Sequence, residues 1–278
     1  DGGDDNIAAI GQVGDSNVAG VSQTGNDNIA GIGQFANFSN ANVTQNGDDN
    51  LVLFGQFGGG SAPNSNLLNS TQTGNNNRLW GYQSGDNNVI GNTQTGGAYA
   101  LIIQTGNANG QNWISNNQND SEANLTQNGG NNSLSNVQTN GANVTASQTN
   151  TGGGLNQINN NQDGPVTANL TQNGFLLTIN NTQSGSGFST LSQSGNNHTV
   201  SVSQNNGGSI TSTQTGSWTV ANLTQIGFNT IIGSQNGTGS DALTQNVATV
   251  QQGVAGPSTG NTASYSQTGS GHAVVIKQ

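Results

Sequence analysis

Cysteine and methionine are missing altogether from this chain of 278 residues, proline occurs three times, and lysine and arginine together occur twice. Without cysteine there is no disulfide framework. The formal net charge of −10 sets twelve acids against only Arg78 and Lys277, so the phosphate backbone of a nucleic acid is a poor partner. No apolar run reaches the length of a membrane span or a signal peptide, and the lack of methionine even at residue 1 is what a processed, exported product would show. Charged residues make up 5% and hydrophobic residues 29%, beside 44 glycines, which is not the composition of an ordinary globular enzyme. Two classes fit it: a disordered low-complexity chain, or a solenoid of repeats.

What is present decides between them. Gln12, Gln23, Gln34, Gln45 and Gln56 follow one another at eleven residues, and the beat continues to Gln278. Six residues before most of these glutamines stands an asparagine, serine or similar small polar residue, as at Asn6, Asn17, Asn28, Ser39, Asn50, Asn66, Asn77 and Asn88. A disordered tract has no reason to hold aliphatic residues in step with its glutamines. Asn6, Ala8, Ile10 and Gln12 share one parity while Ile7, Ala9 and Gly11 have the other, and period two means a strand with one face turned inward. Twenty-five such strands end at successive glutamines through Gln127, Gln172 and Gln225, joined by Gly/Asn/Asp turns such as Thr24-Gly25-Asn26-Asp27, which supply positive φ. Longer connections after Gln56 (with Pro63), Gln104, Gln148 and Gln252 (with Pro257) are read as loop insertions. The spacing from Gln245 to Gln252 is too short and would turn Asp241 inward, so the register is expected to fail there.

Two strands and their turns make a rung of roughly 22 residues, and stacking rungs about 4.8 Å apart pairs each strand in parallel with the second one after it. The expected fold is all-β: a β-solenoid of stacked strand-turn-strand rungs forming two facing parallel sheets, cross-β and amyloid-like. Residues 1–5 form a short acidic segment and 6–278 one solenoid domain. Identical copies such as Ala123-Asn124-Leu125-Thr126-Gln127-Asn128-Gly129 and 168–174 support it. The core aliphatics are Ile10, Val21, Ile32, Val43, Leu125, Leu134, Leu170 and Ile179. Between Gln94 and Gln193 most strands alternate between small-then-large and large-then-Asn inward pairs, which gathers large residues at one end of the rung. The other end, pairing Ala with Asn, is expected either to bring the sheets closer or to hold the asparagine amides in a ladder.

A primary amide carries two donors and an acceptor, so like amides stacked at strand spacing bond to the copies above and below. The expected amide ladder comprises Asn6, Gln12, Asn17, Gln23, Asn28, Gln34, Gln45, Asn50, Gln56, Gln127, Gln172 and Gln225. No acid, base, nucleophile or metal set accompanies these amides, so the chain is read as no enzyme, with no cofactor and no metal. His198 and His272 occupy the asparagine position of their strands, and a ladder substitution explains them better than a metal pair. The early aspartates (Asp1, Asp4, Asp5, Asp15, Asp27, Asp48, Asp49) read as solvated turns and charge gatekeepers, since the regular G-G-x-G-x-D of a calcium solenoid is missing.

The series Asn6-x5-Gln12-x4-Asn17-x5-Gln23-x4-Asn28-x5-Gln34 resembles the curlin repeat, S-x5-Q-x4-N-x5-Q, with the first serine mostly replaced by asparagine, more repeats, and loop insertions. The resemblance implies a curli-like major fibre subunit, secreted to the cell surface, exported unfolded through an outer-membrane pore and templated by a nucleator subunit. Independently, a parallel stack leaves unpaired backbone groups on its first and last strands. Neither Asn6, Ala8, Ile10, Gln12 at the start nor His272, Val274, Ile276, Gln278 at the end is followed by a recognisable cap. Head-to-tail self-association into a fibre is therefore expected. The alternatives are a nucleator, an ice binder and a carbohydrate-binding solenoid. The ice binder needs a regular outward column, which Thr44, Tyr82, Val137, Ser192 and Lys277 do not form; the sugar binder would use the outward aromatics Trp80, Tyr82, Tyr99 and Trp113.

Overall fold

The computed structural model describes residues 3–58, 66–106, 110–253 and 260–278. The chain divides into two compact units, Asp1–Thr139 and Asn140–Gln278, and each is an all-β parallel solenoid.

In the first unit the strands are β1 (Ile7–Val13), β2 (Val18–Thr24), β3 (Ile29–Ala36), β4 (Asn40–Asn46), β5 (Leu51–Gly58), β6 (Leu67–Thr73), β7 (Arg78–Ser84), β8 (Asn88–Thr95), β9 (Tyr99–Thr105), β10 (Asn112–Asn119), β11 (Glu122–Asn128) and β12 (Asn132–Thr139). Each pairs in parallel with the second strand after it, so odd strands form one sheet and even strands the other. The register is like on like: Ile7 opposite Ile29, Ala8 opposite Ala30, Gln12 opposite Gln34. The turns permit this because residues in the left-handed region recur at one position, just before the bookend asparagine. Asp5, Asp27 and Asp49 all have φ near +57° there (58, 56 and 58°), a conformation Asp and Asn tolerate better than other non-glycine residues.

Inward positions are closed off by the rungs on either side. Ile32, Val43, Leu125 and Leu134 are buried, with Val52, Leu68, Leu79, Ile90, Ile102 and Ile114. The first rung departs from the expected core. Ile10 is 46% exposed and Val21 half-buried, because an inward side chain is enclosed only when rungs lie on both sides and this rung has one neighbour. Between the sheets, Asn136 Nδ2 donates to Asn116 Oδ1 and Asn116 Nδ2 to Asn92 Oδ1, both at 2.8 Å, so the asparagine end of these rungs holds a ladder. Gly81, at an inward position, lies beneath the Phe54 ring of the preceding rung, whose Cε2 would stand 3.0 Å from any Cβ added there.

The second unit contains β13 (Asn143–Asn150), β14 (Asn156–Asp163), β15 (Val166–Ser184), β16 (Gly187–Asn205), β17 (Ser209–Ile226), β18 (Thr230–Thr238), β19 (Asn246–Gln252), β20 (Thr262–Gly269) and β21 (Ala273–Lys277). Leu170 and Ile179 are buried here. The strand count expected from the glutamines needs two corrections. β15, β16 and β17 each run through a corner and contain both legs of a rung, since the corner residues themselves pair: Gly174 with Gly195, and Gly195 with Gly216. No strand ends at Gln245, which follows a single 3-10 turn, Ala242–Thr244. Asp241 lies outside the core and caps that turn, accepting from the amides of Leu243 and Thr244 at 3.0 Å each. A carboxylate facing a dry two-sheet core would cost several kcal/mol, and the chain bulges out instead. Pro63, Pro257 and the insertion after Gln104 lie at or beside segments outside the described residues.

Candidate functional site

The recurring chemical feature of both units is a set of polar columns running across the strands. In the odd-strand column of the first unit, Gln12 Nε2 donates to Gln34 Oε1 at 2.6 Å, Gln34 to Gln56 and Gln56 to Gln83 at 2.8 Å, Gln83 to Gln104 at 3.0 Å and Gln104 to Gln127 at 2.9 Å. The even-strand column steps from Gln23 to Gln45 to Gln72 to Gln94 at 2.9 Å each. In the second unit Gln148, Gln172, Gln193, Gln214 and Gln235 repeat the step. The direction does not reverse: each of these Nε2 atoms donates to the glutamine of the later rung.

The second Nε2 hydrogen crosses the sandwich. Gln45 donates to Ile29 O, Gln56 to Asn40 O and Gln127 to Trp113 O, each at 3.1 Å, and Gln172 to Gln157 O at 3.0 Å. A buried glutamine thus uses both donors and its acceptor and ties the two sheets together. Since a buried amide left unpaired costs about 1–3 kcal/mol, no apolar residue of similar size replaces it at equal stability. The asparagine column runs with opposite polarity. Asn28 donates through its backbone N and its Nδ2 to Asn6 Oδ1, both at 3.0 Å. Asn50 repeats this on Asn28 at 3.1 and 3.0 Å. Asn17 Oδ1 accepts from Ser39 N at 3.0 Å, and its Nδ2 donates to Ala36 O at 2.6 Å.

The buried members of the expected ladder are Gln23, Asn28, Gln34, Gln45, Asn50, Gln56, Gln127, Gln172 and Gln225; Asn6 and Asn17 are half-buried and Gln12 exposed. Two ladder atoms are buried with no partner, Gln23 Oε1 and Gln225 Nε2. The first belongs to the first rung of its column and faces away from Gln45. The second marks a break before the rung interrupted by the Ala242–Thr244 turn. At the other strands singled out from the sequence, Ala8, His272 and Gln278 are exposed and Val274 and Ile276 half-buried.

Sequence reasoning missed a third column, in the turns. Asn26 Oδ1 accepts from Asp4 N at 3.1 Å, Asn37 Oδ1 from Asp15 N at 2.7 Å, Asp48 Oδ1 from Asn26 N at 2.8 Å and Asn75 Oδ1 from Asp48 N at 2.9 Å. Asp48 thus takes the acceptor place that asparagine holds in the neighbouring rungs. The signal was available: Asp4, Asn26, Asp48 and Asn75 fall at one turn position in successive rungs. His198 is fully buried, with Nδ1 2.8 Å from Thr219 Oγ1 and Nε2 3.1 Å from Ser194 O. Burial holds its pKa below the usual imidazole value, partly offset by hydrogen bonds to the Ser194 and Gly216 backbone. Of the four aromatics proposed for sugar contact, Trp80, Tyr82 and Trp113 are exposed and Tyr99 is half-buried. Among the described residues no helix is long and apolar enough to cross a membrane.

The family model for the curlin associated repeat matches residues 3–35, the stretch that holds the first three glutamines of the two columns. No curated protein matches the chain. The chain thus carries the curlin associated repeat, matched at 3–35, and the glutamine-on-glutamine register seen there continues through Gln56 and Gln83.

Proposed function

We propose that this chain is a structural, non-catalytic subunit of an extracellular, curli-like amyloid fibre that grows by head-to-tail stacking and contributes to a biofilm matrix and surface adhesion. The observation that carries the reading is the single direction of the glutamine step. In the glutamine columns a rung presents its acceptor toward the earlier rung and its donor toward the later one, so the step that links rungs within a copy would serve equally between copies. Such a contact is heterologous and does not close, which is the geometry of fibres. The unpartnered, buried Gln23 Oε1 is an acceptor of the kind a donor from a preceding rung would satisfy. The curlin match at 3–35 supports a nucleator subunit and an outer-membrane pore as partners.

The test is seeded assembly. Purified chain released from denaturant, followed by thioflavin fluorescence and electron microscopy, is expected to form unbranched, denaturant-resistant fibres whose lag disappears on seeding. A stable monomer with β-type circular dichroism and no fibres would overturn the reading.

A further inference from the structure

The outer face of the odd-strand sheet in the first unit is not explained by stacking. Outward side chains of a fibre sheet are expected to be polar, and on β4 and β6 they are: Asn42, Thr44, Asn69 and Thr71 are exposed, with Asn42 Nδ2 bonded to Asn69 Oδ1 at 3.3 Å. On β1, β3, β5 and β7 the corresponding columns read Ala9, Gly31, Leu53, Trp80 and Gly11, Gly33, Gly55, Tyr82. Leu53 is 37%, Trp80 45% and Tyr82 40% exposed. Phe35 and Phe57 stack beside them, ring centroids 5.7 Å apart. The face is thus a shallow groove floored by glycine in the early rungs that rises to a ridge of large side chains in the later ones, and Ala9, Gly11, Gly31, Gly33 and Leu53 line the groove.

The glycines are not required by the chain's own backbone. None of Gly11, Gly31, Gly33 and Gly55 has positive φ; a Cβ on Gly11 would meet nothing within 4 Å, whereas Leu53, Phe35 and Phe57 of the chain itself lean over Gly31, Gly33 and Gly55. Glycine inside a strand weakens it and marks a place where another surface approaches closely, and Gly11 is the position where that surface is not the chain's own. An exposed apolar face of this kind on a chain of net charge −10 is an interaction surface, and Arg78, one of only two basic residues, stands on its rim.

We propose that this face pairs with the same face of a second copy, so that fibres associate laterally in antiparallel pairs; the proposal rests on the fibre reading above. A two-fold axis along the strand direction midway between β3 and β5 reverses the order of the four rungs and keeps the columns. It places Trp80 over Ala9 and Tyr82 over Gly11 of the second copy, where the floor is open, ridge into groove on both sides. The same operation brings Arg78 to the second copy's Ile7 and its exposed turn residue Asp5, which supplies opposite charge at the rim. The reversed alternative, an axis along the stacking direction, sets ridge on ridge. Strand rise and spacing give the four strands of this face about 450 Å² per copy, below the about 800 Å² per partner of a standard interface. A single pair of copies is therefore weakly held, and repetition along a fibre supplies the avidity.

The experiment compares wild type with Gly11→Thr, which fills the groove where space is open, and with the double variant Trp80→Thr/Tyr82→Thr, which removes the ridge. The expected result is paired wild-type fibres in electron micrographs and single fibres for both variants, at unchanged seeded elongation rates. Single wild-type fibres, or variants that pair like wild type, overturn the proposal while leaving the fibre reading intact. If the chain forms no fibres, the fibre reading fails and sedimentation of the soluble chain decides the face: a weak dimer lost in the double variant supports it, and a monomer at all concentrations overturns it. Binding of phosphatidylcholine vesicles or cellulose by unpaired wild-type fibres, lost in the double variant, would assign the face to lipid or sugar and overturn it as well.

Discussion

Corners in the two units are built from the same number of residues and closed by different groups. After Gln12 the chain turns through Val13, Gly14, Asp15 and Ser16, and the Asp15 amide is taken by the side chain of Asn37 at 2.7 Å. After Gln172 it turns through Asn173, Gly174, Phe175 and Leu176, and there the backbone keeps its ladder, Phe175 pairing with Asn196 and Asn196 with Ser217. Both corners need one non-glycine residue in the left-handed region, Ser16 at φ 58° and Leu176 at φ 56°. In the first corner the acceptor is the side chain at the third turn position of the next rung, Asn37. In the second the backbone ladder runs on through that position even though Asn196 stands there in the next rung. Rung stacking is thus indifferent to how a corner is closed, provided each amide finds an acceptor.

The strongest way to break this comparison is to remove a fully used amide. Gln104→Leu in the first unit removes one bond each from Gln83 Nε2, Gln127 Oε1 and Val89 O, and is expected to cost about 2–4 kcal/mol, read as a lowered denaturant midpoint. Gln225→Leu in the second unit is expected to cost less, about 1–2 kcal/mol, because its Nε2 is already unpaired; an equal loss at both sites would refute the ladder accounting. Asn37→Ala is expected to cost about 1 kcal/mol and to speed hydrogen exchange of the Asp15 amide. Phe175→Ala should leave the exchange of its own corner amides unchanged, and faster exchange there would show that the ring, not the backbone ladder, holds that corner.

The smallest effect is confined to pH and to the second unit. His198 is neutral in the fold because burial lowers its pKa, so the unfolded chain takes up a proton first, near the ordinary histidine value of about 6.5. Stability is complete above that pH and declines as the pH falls below it. Amide exchange in β16 and its neighbours should quicken on acidification while exchange in β3–β9 does not, and His198→Asn should abolish the difference.

The spacing of Asn and Gln carried the fold class, the pairing of every second strand and the membership of the ladder, because a stack of like rungs repeats whatever a single rung specifies. Asp241 shows where this reasoning stopped. The glutamine beat continues to Gln245, but the residues before it cannot face a core, and only the assembled rung shows the chain leaving the stack and capping a 3-10 turn. Ile10 and Val21 fail for another reason: they obey the pattern of Ile32 and Val43, and their exposure follows from the number of neighbouring rungs, which no local pattern encodes.

The sequence alone determined the period, the inward parity and the chemistry of each column, since these depend on residue type and spacing within one rung. Only the tertiary structure decided the direction of the amide step, the third column in the turns, the merging of strands in β15–β17 and the apolar outer face of the early odd strands. Each of those depends on which residues of different rungs are brought to within a hydrogen bond or a van der Waals contact of one another, and that distance exists only after the rungs are stacked.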